Sequence, residues 1–88
     1  MAKVCLVTSL GCTPCLRIKR VLSELQVAMP HLTVEEVEFT SPAGTNLAIE
    51  NGILYPPAVF INGKLIAKGK IDADTMVTTI RKMIEAHN

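Results

Sequence analysis

The spacing of apolar side chains changes along the chain and marks a strand followed by a helix. Lys3 to Ser9 are mostly apolar and rich in β-formers, which is typical of a strand buried on both faces. Beyond Gly11 the apolar positions recur every three or four residues, which predicts an amphipathic helix from Thr13 that ends before Pro30. The apolar stripe of this helix consists of Ile18, Val21, Leu22 and Leu25.

Turn and cap signals place a second strand and a second helix. Residues 33–39 mix three apolar side chains with three glutamates, which predicts a strand with one polar face. A hydroxyl followed by proline at Ser41-Pro42 is typical of a helix start, and Asn51-Gly52 is typical of a helix end. We therefore expect a short helix from about Pro42 to Asn51.

The last third of the chain predicts a hairpin and a helix. Ala58 to Ile61 form a third apolar strand, and Asn62-Gly63 is a strong two-residue hairpin signal. Lys64 to Ala67 should then return antiparallel. Asp72 or Asp74 should cap a final helix. Its predicted buried stripe is Met76, Val77, Ile80 and Ile84.

The resulting order, β-α-β-α-β-β-α, defines an α/β fold. The first β-α-β unit should be a right-handed crossover with parallel strands, and the hairpin should add an antiparallel edge. A four-stranded mixed sheet flanked by helices on both faces buries all the apolar stripes. A length of 88 residues leaves room for a single domain, residues 1–88.

Composition excludes several classes of protein. The chain is 49% hydrophobic and 19% charged, which is typical of a globular domain. A net charge of +1 provides no general attraction to nucleic acid or to an anionic membrane, so we expect neither as a partner. The apolar run near the N-terminus is too short to span a bilayer and resembles a strand more than a signal peptide. For so small a domain we expect a monomer.

The three cysteines indicate a reactive role more than structural disulfide bonds. Their number is too small and odd for a disulfide framework, so we expect a reducing, cytoplasmic compartment. Cys5 lies within the first apolar run and is expected to be a small core side chain. Cys12 and Cys15 form a C-x-x-C, and the charged residues nearest to them are all basic.

The C-x-x-C lies where the first strand leads into the first helix. Unpaired N–H groups and the positive end of the helix dipole stabilise a thiolate there, so we expect a lowered pKa for the Cys12 thiol. Cys12, just outside the helix, should be the exposed, attacking sulfur, and Cys15, one turn further, should be shielded and resolve the mixed disulfide. Between them lie Thr13 and Pro14, and Pro14 stiffens the turn.

Other interpretations of the cysteine pair exist. The two cysteines can be inert, or can bind a metal in a copper-chaperone-like module, which also places C-x-x-C between a first strand and a first helix. A zinc site needs four ligands. The two histidines, His31 and His87, lack ligand spacing and are expected to be solvated. The placement of the pair favours redox chemistry, and we expect no bound metal or cofactor.

The C-T-P-C motif and the later run P-A-V-F-I-N-G-K, from Pro57 to Lys64, together resemble the thioredoxin superfamily. The most similar members are glutaredoxins and small glutaredoxin-like thioredoxins. In the family a cis-proline precedes the third strand and packs beside the C-x-x-C; Pro57 matches that position. The resemblance implies that Pro57 hinders metal capture and that the backbone of the preceding residue, here Pro56, pairs with substrate through its carbonyl alone.

The resemblance also implies an activity and a set of contacts. The expected reaction is dithiol–disulfide exchange with disulfide-containing proteins or glutathione mixed disulfides. Glutathione or a thioredoxin reductase is the expected electron donor. The expected substrate-binding residues are Thr13, Pro14, Lys19, Pro56, Pro57, Lys68 and Asp72.

Four features depart from the family, and one of them is Thr13-Pro14 between the cysteines, where glutaredoxins usually carry Pro-Tyr. Gly11 replaces the tryptophan that precedes the first cysteine in thioredoxins, and Leu6 corresponds to their buried acid. The paired glycines that glutaredoxins carry after the hairpin are absent from residues 67–72. These departures leave the electron donor open between the two families.

Overall fold

A computed structural model describes residues 2–86, and these residues contain the seven elements in the predicted order. The strands are β1 (Ala2–Thr8), β2 (Leu32–Glu38), β3 (Ala58–Ile61) and β4 (Lys64–Lys68), and the helices are α1 (Thr13–Ala28), α2 (Pro42–Asn51) and α3 (Ala73–Ala86). The first two strands begin and end one residue earlier than predicted. Leu32 extends β2 because its side chain is buried and it pairs with Ala2.

The four strands form one mixed sheet in the order β2-β1-β3-β4. β1 runs parallel to β2 and antiparallel to β3, and β4 forms the antiparallel edge. Because β1 and β3 are antiparallel, the end of β1 lies beside the start of β3, where Val7 pairs with Ala58. The segment that leaves β1 toward Cys12 and the segment that leads from Pro57 into β3 therefore meet at one end of the sheet.

The predicted hairpin joins β3 to β4 and also contacts β1. Asn62 and Gly63 both have positive φ, 50° and 85°, as a type I′ turn requires. The Asn62 amide donates to the Lys3 carbonyl at 2.8 Å, and the Lys3 amide donates to Asn62 Oδ1 at 2.9 Å. The turn thus stabilises the register of the central strands.

Alternate side chains of the central strands enter two cores, one on each face of the sheet. On one face α1 and α3 cover Val4 and Leu6 of β1, together with Val59 and Ile61 of β3. On the other face a smaller core lies beneath α2. It contains Val7, Ile53, Ala58 and Phe60, with Cys5, Phe39, Leu47, Ala48 and Leu65 packed against it. This two-residue alternation confirms that helices cover both faces.

The caps of α2 are those that the sequence predicts. Ser41 Oγ accepts a hydrogen bond from the Gly44 amide at 3.1 Å, and Gly52 ends the helix with φ 65°. Gly44 is buried against the end of β2, since a Cβ at this position would lie 2.0 Å from the Glu38 carbonyl oxygen. Within residues 2–86 no helix combines the length and apolar character that crossing a lipid bilayer requires.

Candidate active site

Cys12 and Cys15 lie on the first turn of α1. Cys12 is the N-cap residue, with an extended backbone (φ −84°, ψ 99°), and its Sγ accepts a hydrogen bond from the Cys15 amide at 3.2 Å. The two sulfur atoms form a disulfide bond, with 5.2 Å between the Cα atoms. The helix starts at Thr13, and Pro14 occupies its first turn, where a missing amide hydrogen costs nothing.

The two sulfurs differ in access to solvent. Cys12 is half-buried, whereas only 1% of Cys15 is exposed. The difference follows from helix geometry, because Cys15 shares the inner face of α1 with Ile18 and Leu22. Cys12 is therefore the more exposed of the two cysteines, as the sequence predicts.

Pro57 follows a cis peptide bond after Pro56, as the resemblance implies. Its side chain is fully buried, and its carbonyl accepts a hydrogen bond from the Gly69 amide at 2.8 Å. Pro56 is only half-buried. The Pro56 carbonyl is the one backbone group that this residue has for pairing with a substrate.

An open cleft of about 640 Å³ joins the cysteine turn to the cis-proline. It brings together four of the predicted binding residues, Thr13, Pro14, Pro56 and Pro57. The other residues that line it are Arg17, Ile18, Tyr55, Gly69, Lys70 and Ile71. The cleft is therefore built from α1, from the segment before β3 and from the segment after β4.

Three predicted binding residues do not line this cleft. Lys19 Nζ pairs with Glu36 Oε2 of β2 at 3.2 Å. Lys68 Nζ donates to the Gly52 carbonyl at 3.2 Å, beside a smaller neighbouring hollow. The Asp72 carboxylate accepts hydrogen bonds from the amide and the hydroxyl of Thr75 and so caps α3. Their proposed contacts with substrate stay predictions.

The cations that line the cleft are Arg17 and Lys70, whereas Lys19 and Lys68 were the cations predicted to bind substrate. Arg17 precedes Lys19 by two residues, which is about 200° of rotation around a helix, so the two side chains leave α1 in different directions. Lys70 follows Gly69, whose positive φ of 71° turns the chain after β4. A glycine ending a strand is a signal that could have identified this turn.

Tyr55 forms one wall of the cleft. A Cβ at Gly69 would lie 3.2 Å from the Tyr55 ring and from its hydroxyl oxygen, so the ring packs directly on the glycine. Tyr55 nevertheless remains 55% exposed. Its free ring face is an apolar contact surface next to Pro56.

The charge of the cleft influences Asp72. Hydrogen bonds from the hydroxyl and the amide of Thr75 lower the pKa of the Asp72 carboxyl, and the positive charge of Arg17 lowers it further. Asp72 thus stays ionised at the start of α3, where the helix dipole favours a negative charge.

The third cysteine lies outside the cleft. Cys5 is a free, half-buried residue of β1 that packs against the smaller core. Burial raises the pKa of the Cys5 thiol, and the nearby carboxylate of Glu35 raises it further. A thiol with a raised pKa is a poor nucleophile near neutral pH.

The interior provides no acid or base near Cys15. Leu6, which stands where thioredoxins carry a buried acid, is fully buried in the larger core. Among residues 2–86 no charged or polar side chain is buried.

The described part of the chain contains no group of three or more histidine, cysteine, aspartate or glutamate side chains placed to hold a metal ion. His31 is exposed, as expected. The prediction for His87 lies outside the described residues. The copper-chaperone-like alternative is wrong in its fold, because such modules have the element order β-α-β-β-α-β, which differs from the seven elements observed.

The structure is similar to solved thioredoxins. Oxidised thioredoxin O2 from Arabidopsis thaliana matches with a TM-score of 0.73 and 20% identity over 94% of this chain and 75% of that one. Oxidised mitochondrial thioredoxin 3 from Saccharomyces cerevisiae matches with a TM-score of 0.63 and 23% identity, covering 97% and 77% of the two chains. Oxidised thioredoxin from Plasmodium falciparum matches with a TM-score of 0.70 and 16% identity, covering 93% and 80%. The sequence matches no protein-family model and no curated protein.

These likenesses establish the thioredoxin fold, which the sequence resemblance implies. The chain is a thioredoxin-fold protein with a close cysteine pair at the start of its first helix. At these identities the comparisons define the architecture alone, and the activity rests on the geometry of the cysteine pair and the cleft.

Proposed function

We propose that this protein is a dithiol–disulfide oxidoreductase that reduces disulfides in proteins or mixed disulfides with glutathione. The observation that supports this most is the Cys12–Cys15 pair, in which a half-buried sulfur caps a helix and its shielded partner lies one turn away.

The reaction begins with the reduced protein. The Cys12 thiolate attacks one sulfur of the substrate disulfide, and a bond forms between that sulfur and Cys12 Sγ. The substrate S–S bond breaks, and the released thiolate takes a proton from solvent. The Cys15 amide, which bonds to Cys12 Sγ at 3.2 Å in the disulfide form, is placed to stabilise the attacking thiolate.

The second step releases the other half of the substrate. Cys15 passes its proton, directly or through solvent, to the departing substrate thiolate and attacks Cys12 Sγ, so the Cys12–Cys15 bond forms while the mixed disulfide breaks. The substrate has then gained two electrons and two protons; the protein has lost the two electrons and the Cys15 proton, and solvent has supplied the other proton. An external thiol, either glutathione or the dithiol of a thioredoxin reductase, restores the cysteine pair.

The remaining parts of the proposal concern context. A cytoplasmic location suits a dithiol that must be reduced again after each cycle. We propose that the protein acts as a monomer, with its donor and its substrates as transient partners and no bound cofactor.

Cysteine variants test the mechanism in a disulfide-reduction assay with dithiothreitol as donor. Cys12→Ser should reduce the rate to the uncatalysed level, because Cys15 is only 1% exposed and Cys5 packs against the smaller core. Cys15→Ser should stall as a mixed disulfide, which mass spectrometry detects as the protein plus half of the substrate. The matched control Cys5→Ser should keep the wild-type rate, and full activity of Cys12→Ser would overturn the mechanism.

The donor is tested separately. Wild-type protein, first oxidised to the Cys12–Cys15 disulfide, is incubated with either reduced glutathione or a thioredoxin reductase and its reductant. The faster of the two reactions identifies the donor class. Failure of both to reduce the pair would contradict this part of the proposal.

A further inference from the structure

Two cations from different elements line the cleft beside the cysteine turn. Arg17 extends from the second turn of α1, and Lys70 lies between β4 and α3. None of the residues that line this cleft is acidic. The cleft is therefore positive, although the whole chain carries a net charge of only +1.

Neither cation is occupied by an ion pair among residues 2–86. The salt bridges found there join Lys3 to Glu35 and Lys19 to Glu36, away from the cleft. The ionised carboxylate of Asp72 interacts with Arg17 electrostatically and offsets part of its charge, but the two side chains form no salt bridge and the carboxylate is hydrogen-bonded to Thr75. The positive charge beside Thr13 and Pro14 is thus available to a ligand.

Apolar surface adjoins the two charges. The exposed ring of Tyr55, together with Pro56 and Ile71, supplies apolar parts of the cleft wall. A volume of about 640 Å³ accommodates several residues of an extended peptide. A ligand that matches this wall combines apolar contacts with a carboxylate close to its disulfide.

We infer that the cleft selects disulfide substrates in which an acidic residue adjoins the reactive cysteine of an extended protein segment. Arg17 and Lys70 are the specificity-determining residues, and their charges attract the carboxylate during encounter and in the bound complex. This inference rests on the proposed function, since the selected group is the substrate of Cys12.

Three disulfide-linked peptides test it. They are identical except that the residue after each cysteine is glutamate, glutamine or lysine. The reductase assay measures kcat/KM for each with dithiothreitol as donor, and wild-type protein should prefer glutamate to glutamine and glutamine to lysine. Added salt should weaken this preference, because the cleft is open to solvent.

Charge-removing variants assign the preference to its residues. Arg17→Gln and Lys70→Gln should each lower the glutamate-to-glutamine ratio by roughly twofold to fivefold, the range expected for partly exposed ion pairs. Because the ratio compares two substrates of one protein, a change in the nucleophilicity of Cys12 cancels. Arg20→Gln on α1 and Lys64→Gln in the hairpin are matched controls that remove a cation outside the cleft, and both should keep the wild-type ratio.

The outcomes separate this inference from the function beneath it. Equal kcat/KM for the three peptides would overturn the inference and leave the oxidoreductase proposal standing, whereas reduction of none of them would overturn both. Oxidised glutathione, which also carries carboxylates, is the comparison substrate. If it is reduced faster than the glutamate peptide while the peptides are not distinguished, the assignment to a protein segment is wrong.

Discussion

The backbone amide of Cys15 donates a hydrogen bond to the sulfur of Cys12, with 3.2 Å between the two atoms. The sequence separation of three makes this contact possible, because residue i+3 is the one whose free amide points toward an N-cap side chain. A sulfur thus occupies the place that a serine or aspartate oxygen takes at other helix starts. The contact explains why a cysteine at this position is suited to be a thiolate.

Alkylation of the reduced protein should distinguish its thiols. The Cys12 thiol, stabilised as a thiolate by the start of α1, should react first with iodoacetamide near neutral pH. Burial and the carboxylate of Glu35 raise the pKa of Cys5, so its labelling should be slower than that of Cys12 and should accelerate only as the pH increases above the ordinary range of a thiol. Peptide mass spectrometry over a series of pH values measures both rates, and labelling of Cys5 before Cys12 would contradict the assignment.

The Asp72 cap of α3 should make the free energy of unfolding depend on pH. The pKa of Asp72 is lowered in the folded protein, so its carboxylate stabilises the fold at pH values above the ordinary range of an aspartate. That contribution should be lost as the pH falls through the lowered pKa. Asp72→Ala should therefore unfold at lower denaturant concentration than the wild type at neutral pH, and the two midpoints should converge in acid.

The matched control for this cap is Asp74→Ala. Asp74 lies in the same first turn of α3. Its backbone carbonyl accepts a hydrogen bond from the Thr78 hydroxyl, and no hydrogen bond to a described residue involves its carboxylate. The unfolding midpoint of Asp74→Ala should stay closer to that of the wild type at neutral pH. A pH-independent gap between wild type and Asp72→Ala would show that the carboxylate charge is not responsible.

Gly44 should be intolerant of a larger side chain. A Cβ at this position would lie 2.0 Å from the Glu38 carbonyl oxygen, so either β2 or the start of α2 must move. Gly44→Ala should lower the free energy of unfolding by about 1–3 kcal/mol, as overpacking usually does. Thr45→Ala, one residue further on an exposed position, should change it by no more than about 0.5 kcal/mol. Denaturant unfolding measures both, and equal stability of the two variants would contradict the close contact.

Local signals account for most of the element boundaries. Ser41-Pro42, Asn51-Gly52 and Asn62-Gly63 each act through backbone conformation or through a hydrogen bond within four residues. The bounds of α2 and β3 are therefore those that the sequence predicts. The first two strands begin one residue early because their first pair, Ala2 with Leu32, depends on a partner thirty residues away.

The same distinction applies to the candidate site. The C-x-x-C, its place at a helix start and the difference in exposure between its sulfurs follow from sequence spacing, because all of them arise within one helical turn. Which residues line the cleft cannot be predicted from their spacing in the sequence. Lys19, expected to contact substrate, pairs with Glu36, whereas Arg17 and Lys70 line the cleft.

Features that depend on residues close together in the sequence can thus be predicted from the sequence of this chain. Contacts between residues that are distant in the sequence cannot. Helix starts, turns and the C-x-x-C turn depend on groups only a few bonds apart. Those groups are neighbours in the chain whether or not it is folded. Which cation faces the cleft depends on the rotation of α1 against the sheet and on the turn at Gly69 after β4. Both depend on how the two cores pack on the faces of the shared sheet. That packing involves contacts between segments that lie far apart in the sequence, so it cannot be predicted from any short stretch of residues.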